Sequence, residues 1–328
     1  MLGVMRGLIF INSSGGVVTL NPMAIFGQQF GMYLDDETKT LWSWGYNRRG
    51  QLGDNTISSV SSPISVVGNI SWKYITSGNT FAAGIKTDGT CWAWGDNASG
   101  QLGINISSIN TSKSSPISVL GGNSFVEICS GNTCMFGLKS DGTLWAWGYN
   151  WDGRLGSGDL EHRSSPVSVV GGHSFVSIAT GGNFNAALKA DGSVWTWGVN
   201  TYGQLGDETT EGKSSPVSVV GEHSFYKVCC GYNFVLALKD DGSAWAWGDN
   251  SSGQLGTGDT INYSSPVSIV TNVFFTDIAT GQASSYGISN DGSVWAWGDN
   301  SSGQLGTGDN TLYSSPVSVI GNHSFKTI

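Results

Sequence analysis

Charge is scarce in this chain: of 328 residues only 12% are Asp, Glu, Lys or Arg, about half the share common in soluble domains. That argues against long, charge-laced helices. Basic residues are the rarer sign, 15 against 24 acidic, for a net charge of −9. A phosphate backbone would meet net repulsion, so direct nucleic-acid binding is not expected. Long apolar runs are missing too. The stretch from Leu2 to Ile11 is broken by Arg6 and falls short of the ~20 residues that span a bilayer. It lacks a preceding basic region and a small-residue cleavage site, which makes a cytoplasmic location the default expectation. Cysteine is sparse and odd in number, at Cys91, Cys129, Cys134, Cys229 and Cys230. Without paired ligand spacing, neither a disulfide framework nor a zinc site is expected.

Glycine is abundant by contrast, with 49 residues or about twice the usual share of roughly 7%, and there are 14 tryptophans. A hydrophobic fraction of 39% suffices for a buried core, which excludes disorder. These residues are arranged periodically. Trp-Gly begins at Trp44, Trp94, Trp147, Trp197, Trp247 and Trp297, and Ser-Ser-Pro ends at Pro63, Pro116, Pro166, Pro216, Pro266 and Pro316. Every interval in both series is 50 residues except one of 53. Such a period marks a repeat architecture and leaves no boundary for two unrelated domains.

Within one unit, the alternating segment Phe175 to Ala179 predicts a first strand, closed by Thr180-Gly181-Gly182. Asn185 to Lys189 is the second strand, Asp191-Gly192 a tight turn, and Val194 to Trp197 the third strand. A loop holding Gly203-Gln204-Leu205-Gly206 leads to a fourth strand from Pro216 to Val220, with the proline at the strand start. Four short antiparallel strands per 50 residues predict an all-β propeller of four-stranded blades. Paired tryptophans such as Trp245 and Trp247 lie two apart, on one strand face, and are expected to fill the space between blades.

The sixth Trp-Gly unit is followed by one more fourth strand and by Ser324 to Ile328 as a further first strand. Met1 to Met5, Leu8 to Asn12 and Gly16 to Leu20 match a second, third and fourth strand. The expectation is a single domain over 1–328 with seven blades, the seventh shared by 1–20 and 324–328, which would remove open sheet edges. Six blades are the alternative.

The units carry Leu188-Lys189-Ala190-Asp191-Gly192, Trp197-Gly198 and Gly203-Gln204-Leu205-Gly206, with Gly253 to Gly256 and Gly303 to Gly306 as further copies of the last motif. In this the chain resembles the regulator of chromosome condensation repeat family over almost its whole length. The resemblance implies a seven-bladed propeller. Its members include an exchange factor for a nuclear small GTPase, a plant ultraviolet photoreceptor and a bacterial β-lactamase inhibitor, so function does not follow from fold. Where the family commonly has histidine after the first strand, this chain has Phe30, Phe81, Cys134, Phe184, Phe234 and Ser284, which predicts a more apolar rim there. The near-uniform interval leaves no room for the wedge that the exchange factor uses, and no Gly-Trp-Arg-His-Thr stretch of the photoreceptor kind is present.

Catalytic chemistry finds no foothold. His173, His223 and His323 recur at one repeat position, and His162 stands alone in a variable loop. Asp191, Asp241 and Asp291 are explained by turn geometry. Gly256-Thr257-Gly258 and Gly306-Thr307-Gly308 open no helix that would cradle phosphate, and Asp259 and Asp309 lack the spaced carboxylates of a calcium loop. Sequons at Asn97, Asn250 and Asn300 follow from polar loops rich in Asn and Ser. No enzyme activity, cofactor or metal is expected.

What departs from the repeat lies in the loop after Trp-Gly. Two units read Asp-Asn-Ser-Ser-Gly there, at Asp249 to Gly253 and Asp299 to Gly303, whereas others carry Tyr46, Arg48 and Arg49, then Tyr149, Trp151 and Arg154, then Tyr202. Trp, Tyr and Arg dominate binding energy at interfaces, so these seven residues form the candidate partner-binding rim. The expected function is a non-enzymatic, monomeric scaffold for a protein partner. The alternatives are a small-GTPase regulator, by resemblance, and a glycan- or small-ligand-binding propeller of lectin type.

Overall fold

The computed structural model describes residues 29–321 apart from Asp36, without the side chain of Ile109, and ahead of residue 29 the backbone of four short strands. Those strands are Gly3–Arg6, Phe10–Ile11, Val17–Val18 and Met23–Phe26. No α-helix occurs among the described residues. The chain forms two compact units, 1–151 with 157–174 and 152–156 with 175–328.

The second unit shows the plan of a repeat. Ser177–Thr180, Phe184–Leu188, Val194–Gly198 and Lys213–Ser218 form one sheet in chain order, each antiparallel to the next. The sheet from Lys227–Cys230 to Tyr263–Ser268 and that from Phe275–Thr280 to Tyr313–Ser318 repeat it. In the first unit, Trp72–Ser77 to Lys113–Ser118 and Glu127–Ser130 to Arg163–Ser168 do the same. The remaining sheet there runs from Met23–Phe26 to Val60–Ser65 and carries Gly3–Arg6 beyond Met23–Phe26 as a fifth strand. The described residues thus contain six antiparallel sheets of at least four strands, one per Trp-Gly unit, five of them four-stranded and one five-stranded, which fits the six-blade alternative.

Phe10–Ile11 and Val17–Val18 pair as a separate hairpin, at the place where a third and a fourth strand are expected. The described partner of Gly3–Arg6 is Met23–Phe26. Ser324 to Ile328, expected to pair with the N-terminal strands in a seventh blade, lies outside the described residues.

Three of the four predicted strands stand within two residues of their expected bounds. The fourth differs: it begins at Lys213, so Pro216 sits inside it and not at its start. Thr196 pairs with Val217 but Gly198 with Lys213, and the surplus outer-strand residues form a bulge around Ser214, Ser215 and Pro216. A bulge on an edge strand exempts a residue from donating to the ladder, which is the condition proline needs. All six outer strands have the same register shift.

The glycine after each tryptophan turns the chain out of the third strand. Gly198 has φ of 108°, and a Cβ there would lie 2.5 Å from the Asn183 carbonyl oxygen, so no other residue fits.

The cores lie between successive sheets of each unit. Of the two tryptophans on a third strand, the second is wholly buried in five of the six repeats, with Trp94, Trp147, Trp197, Trp247 and Trp297 at 0% exposure, while Trp44 is half-buried. The first is partly buried in the same five repeats, and in three of them it lies under the lysine of the preceding Leu-Lys segment, with Lys139, Lys189 and Lys239 Nζ 4.2, 4.2 and 4.4 Å from the ring centroids of Trp145, Trp195 and Trp245. Each buried indole also reaches back one repeat. Trp94 Nε1 donates to the Gln51 carbonyl and Trp147 to that of Gln101 in the first unit, as do Trp247 to Gln204 and Trp297 to Gln254 in the second, all at 3.0–3.1 Å. The expected packing between blades is therefore present, and a hydrogen bond fixes its register.

Candidate functional site

The loop from third to fourth strand is 14 residues in most repeats, yet it is tightly held. At its centre is an asparagine three residues after the tryptophan: Asn47, Asn97, Asn150, Asn200, Asn250 and Asn300, all wholly or almost wholly buried. Asn250 Oδ1 accepts the Leu255 N–H at 3.0 Å, while Nδ2 donates to Thr257 Oγ1 (3.0 Å) and to the Asp259 carbonyl (3.1 Å) and carboxylate (3.0 Å). The Asp259 carboxylate also accepts from Thr257 Oγ1, the Ile261 N–H and Tyr263 OH. Asn97, Asn250 and Asn300 were expected to be sequons by abundance alone. They are instead hubs whose amide nitrogen is already engaged, so the folded chain offers it to no glycosylation chemistry. The sequence holds the signal in the sixfold, in-phase recurrence of Trp-Gly-x-Asn.

A second fixed point is the glutamine of Gly-Gln-Leu-Gly. Its Oε1 accepts the N–H of the residue two before it, as Gln204 does from Tyr202 (2.9 Å) and Gln254 from Ser252 (2.8 Å). Its Nε2 donates to the aspartate after Trp-Gly in two of the three repeats that have one, Gln101 to Asp96 at 3.1 Å and Gln304 to Asp299 at 2.7 Å, whereas Asp249 accepts from the Ser251 N–H. Tyr46 and Val199 stand at that position in two repeats, and there the buried Gln51 and Gln204 Nε2 atoms have no hydrogen-bond partner.

The seven candidate rim residues fall on this framework unequally. In the first unit, Arg48 is exposed, Tyr46 and Tyr149 are half-buried, and Arg49 is half-buried with its Nε 3.9 Å from Asp96. Trp151 is 70% exposed. In the second unit Tyr202 is 39% exposed, whereas Arg154 is only 5% exposed and is withdrawn from any rim. Arg154 replaces the glutamine of its motif. Its Nε donates to Asp152 at 2.7 Å and its guanidinium ion-pairs with the same carboxylate. Its carbonyl meanwhile accepts from Trp197 Nε1 at 2.9 Å, as glutamine carbonyls do elsewhere. The arginine is a structural stand-in, because a buried charge persists only when paired.

His162, which the sequence leaves without a role, joins Tyr149 and Trp151. Its ring stacks on Trp151 with centroids 5.3 Å apart and planes at 28°, and lies 4.6 Å from Tyr149; the Tyr149 and Trp151 centroids are 5.6 Å apart. His162 Nδ1 accepts the Asn150 N–H at 3.0 Å. That acceptor role belongs to Ser59 Oγ for Asn47 and to Asn262 Oδ1 for Asn250. Histidine thus replaces a loop-anchoring polar group and supplies an aromatic ring at the same time. Aligning the repeats at twelve residues beyond the hub asparagine would have found it.

Other positions are structural. Phe30, Phe81, Cys134, Phe184, Phe234 and Ser284, expected to make a rim more apolar, are buried. Phe184 and Phe234 pack so closely on Gly181 and Gly231 that a Cβ would overlap their rings. The turn aspartates accept from the residue two ahead, as Asp191 does from Ser193 N (2.9 Å) and Oγ (2.6 Å). Bonds of this kind hold the Asp88 carboxyl down to about 2, and those from Ser193 and Ser243 lower Asp191 and Asp241. His223 accepts from Lys239 Nζ at Nδ1 (3.2 Å) and packs on Trp245; burial and then the lysine charge lower its pKa. Burial raises the Cys91 thiol to about 12 and Cys229 to about 11, so neither is a thiolate nucleophile. None of the five cysteines, Cys229 and Cys230 included, forms a disulfide. Among the described residues no three His, Cys, Asp or Glu side chains are grouped as a metal site requires.

Repeated four-stranded sheets, joined by buried tryptophans and carrying variable loops on an unvarying frame, define a β-propeller repeat protein. The chain belongs to the regulator of chromosome condensation (RCC1) repeat family, whose model matches residues 40–85, 88–138, 141–188, 191–238, 241–288 and 291–328. In fold it is similar to human WBSCR16, with a TM-score of 0.80 and 22% identity over 90% of this chain and 80% of that one. It is similar also to yeast RCC1 (Prp20) as crystallised bound to Kap60, with a TM-score of 0.76 and 20% identity over 91% and 75% of the two chains. A second structure, of Prp20p from Saccharomyces cerevisiae, described with its binding properties to Gsp1p and histones, matches with a TM-score of 0.75 and 20% identity over 91% and 77%.

Proposed function

We propose that this propeller is a non-enzymatic scaffold that presents a rigid surface to a protein partner, with Trp151 as the anchor. The observation that carries the reading is Trp151 itself: a large ring 70% exposed, yet stacked on His162 and braced by Tyr149. An aromatic already fixed before binding loses little entropy on association, which is the property of residues that dominate interfaces. Tyr46, Arg48 and Arg49 in the same unit, and Tyr202 in the other, are the remaining rim candidates.

The test is a photo-crosslinking residue placed at position 151, with a control at Ile320 on the loop after a fourth strand. Partners captured from 151 alone are then purified, and their affinity measured for the wild type and for Trp151→Ser. A loss of about tenfold or more supports the reading; equal affinity rejects this surface. The relation to yeast Prp20, described with Gsp1p, favours regulation of a small GTPase as a second reading. Accelerated release of labelled GDP from such a GTPase would replace the scaffold reading. Binding on a glycan array would favour the lectin-type alternative.

A further inference from the structure

We infer that the open face of Trp151 receives an arginine side chain from a basic segment of the partner; this rests on the anchor role proposed above and adds the chemistry of the occupant. One face of the indole is covered by His162, at 28° and 5.3 Å, and Tyr149 lies 5.6 Å away at 53°. The ring remains 70% exposed, so the opposite face is a flat, fixed platform. A planar group covers such a platform best. Of the polar side chains, guanidinium combines planarity, a weak hydration shell and a charge attracted to the π face.

The charges beside the platform point to the same occupant. Asp159 is saturated: Oδ1 accepts from Ser157 Oγ, Asn150 Nδ2 and the Glu161 N–H, and Oδ2 is paired with Arg163. Glu161 is different. It is exposed, its side chain has no partner among the described residues, and it is adjacent in sequence to the His162 that backs the platform. Its carbonyl is held by Asn150 Nδ2 at 3.1 Å, so this carboxylate projects from a loop that does not have to be ordered on binding. The chain as a whole carries −9, which speeds the approach of a basic segment and repels an acidic one.

The probe is a 12-residue Gly/Ser peptide carrying three arginines, titrated calorimetrically into the full chain beside matched peptides with lysine or glutamate in place of arginine. The arginine peptide is expected to bind saturably, the lysine peptide about threefold more weakly or worse, and the glutamate peptide not at all. Trp151→Ser should weaken the arginine peptide about tenfold. Glu161→Gln should weaken it about threefold and flatten its salt dependence. Both positions are exposed, and unchanged thermal unfolding of each variant verifies that the fold is kept. Arginine and lysine peptides bound equally, or an arginine peptide bound as well by Trp151→Ser, would overturn the inference. If crosslinks from position 151 map to a partner segment without arginine, the anchor stands and this occupant fails. If Trp151→Ser leaves both peptide and partner affinity intact, both fail together.

Discussion

Replacing Val199 by aspartate should stabilise the protein. In the repeats with Asp96 and Asp299, the glutamine Nε2 five residues on has its acceptor at 3.1 and 2.7 Å. Val199 occupies the same position and leaves the Gln204 Nε2, in a side chain at 0% exposure, without a partner. A buried donor left unsatisfied costs about 1–3 kcal/mol, and a hydrogen bond to a charged acceptor contributes about 1.5–3 kcal/mol. Against this stand the apolar burial of a half-buried valine, about 1 kcal/mol, and one more negative charge on an acidic chain. The balance is a gain of about 1 kcal/mol, or roughly 2–4 °C in Tm for a domain of this order of size. Differential scanning calorimetry of Val199→Asp gives the shift. The decisive comparison is the same substitution in a Gln204→Met background, where the acceptor has nothing to receive and the gain should vanish. No gain in the first case, or an equal gain in both, refutes the assignment of aspartate as the partner of the motif glutamine.

Three further outcomes follow from the same framework. Asn250→Ala removes four hydrogen bonds from a loop hub and should cost about 2–4 kcal/mol, read as a lowered Tm; a change under 0.5 kcal/mol would show that the loop holds without it. Trp247→Phe loses the bond to the Gln204 carbonyl and opens a cavity, for about 1–3 kcal/mol, and a double-mutant cycle with a distant core site checks that the loss is local. The turn aspartates have pKa values below those of the unfolded chain, so their stabilisation is complete above about pH 4. It is lost as pH falls towards about 2, the value at Asp88; Tm measured from pH 5 to pH 2 should drop in that window, and less steeply in Asp88→Asn.

The phase of Trp-Gly and Ser-Ser-Pro made the sheets legible, because hydrophobic alternation and Asp-Gly turns act over neighbouring residues. What escaped it depends on pairings and burial that the order of residues along the chain does not show. Pro216 reads equally well at a strand start or in a bulge, since either position spares it a ladder bond; only the pairing of Gly198 with Lys213 decides. Arg154 resembles a rim residue until Asp152 is seen to neutralise it in a buried site. His162 looks solitary because its meaning lies in the Asn150 amide and the Trp151 ring, twelve and eleven residues away. The exposure of Trp151 and Tyr202 fits their standing as departures from the repeat, where packing with the next sheet imposes nothing.

The bulged outer strand has a consequence for the whole molecule in crowded solution. The segments Ala246 to Asp259 and Ala296 to Asp309 are identical, and the outer strands Tyr263–Ser268 and Tyr313–Ser318 have the same sequence. Identical strands at sheet edges are natural templates for one another, and two molecules could zip together along them into aggregates. A proline in the middle of each such strand, set in a kinked stretch two residues out of register, removes a donor and bends the edge away from any straight partner. Copying the repeat therefore copies its own guard against self-association, which lets an array of near-identical units lengthen without becoming sticky.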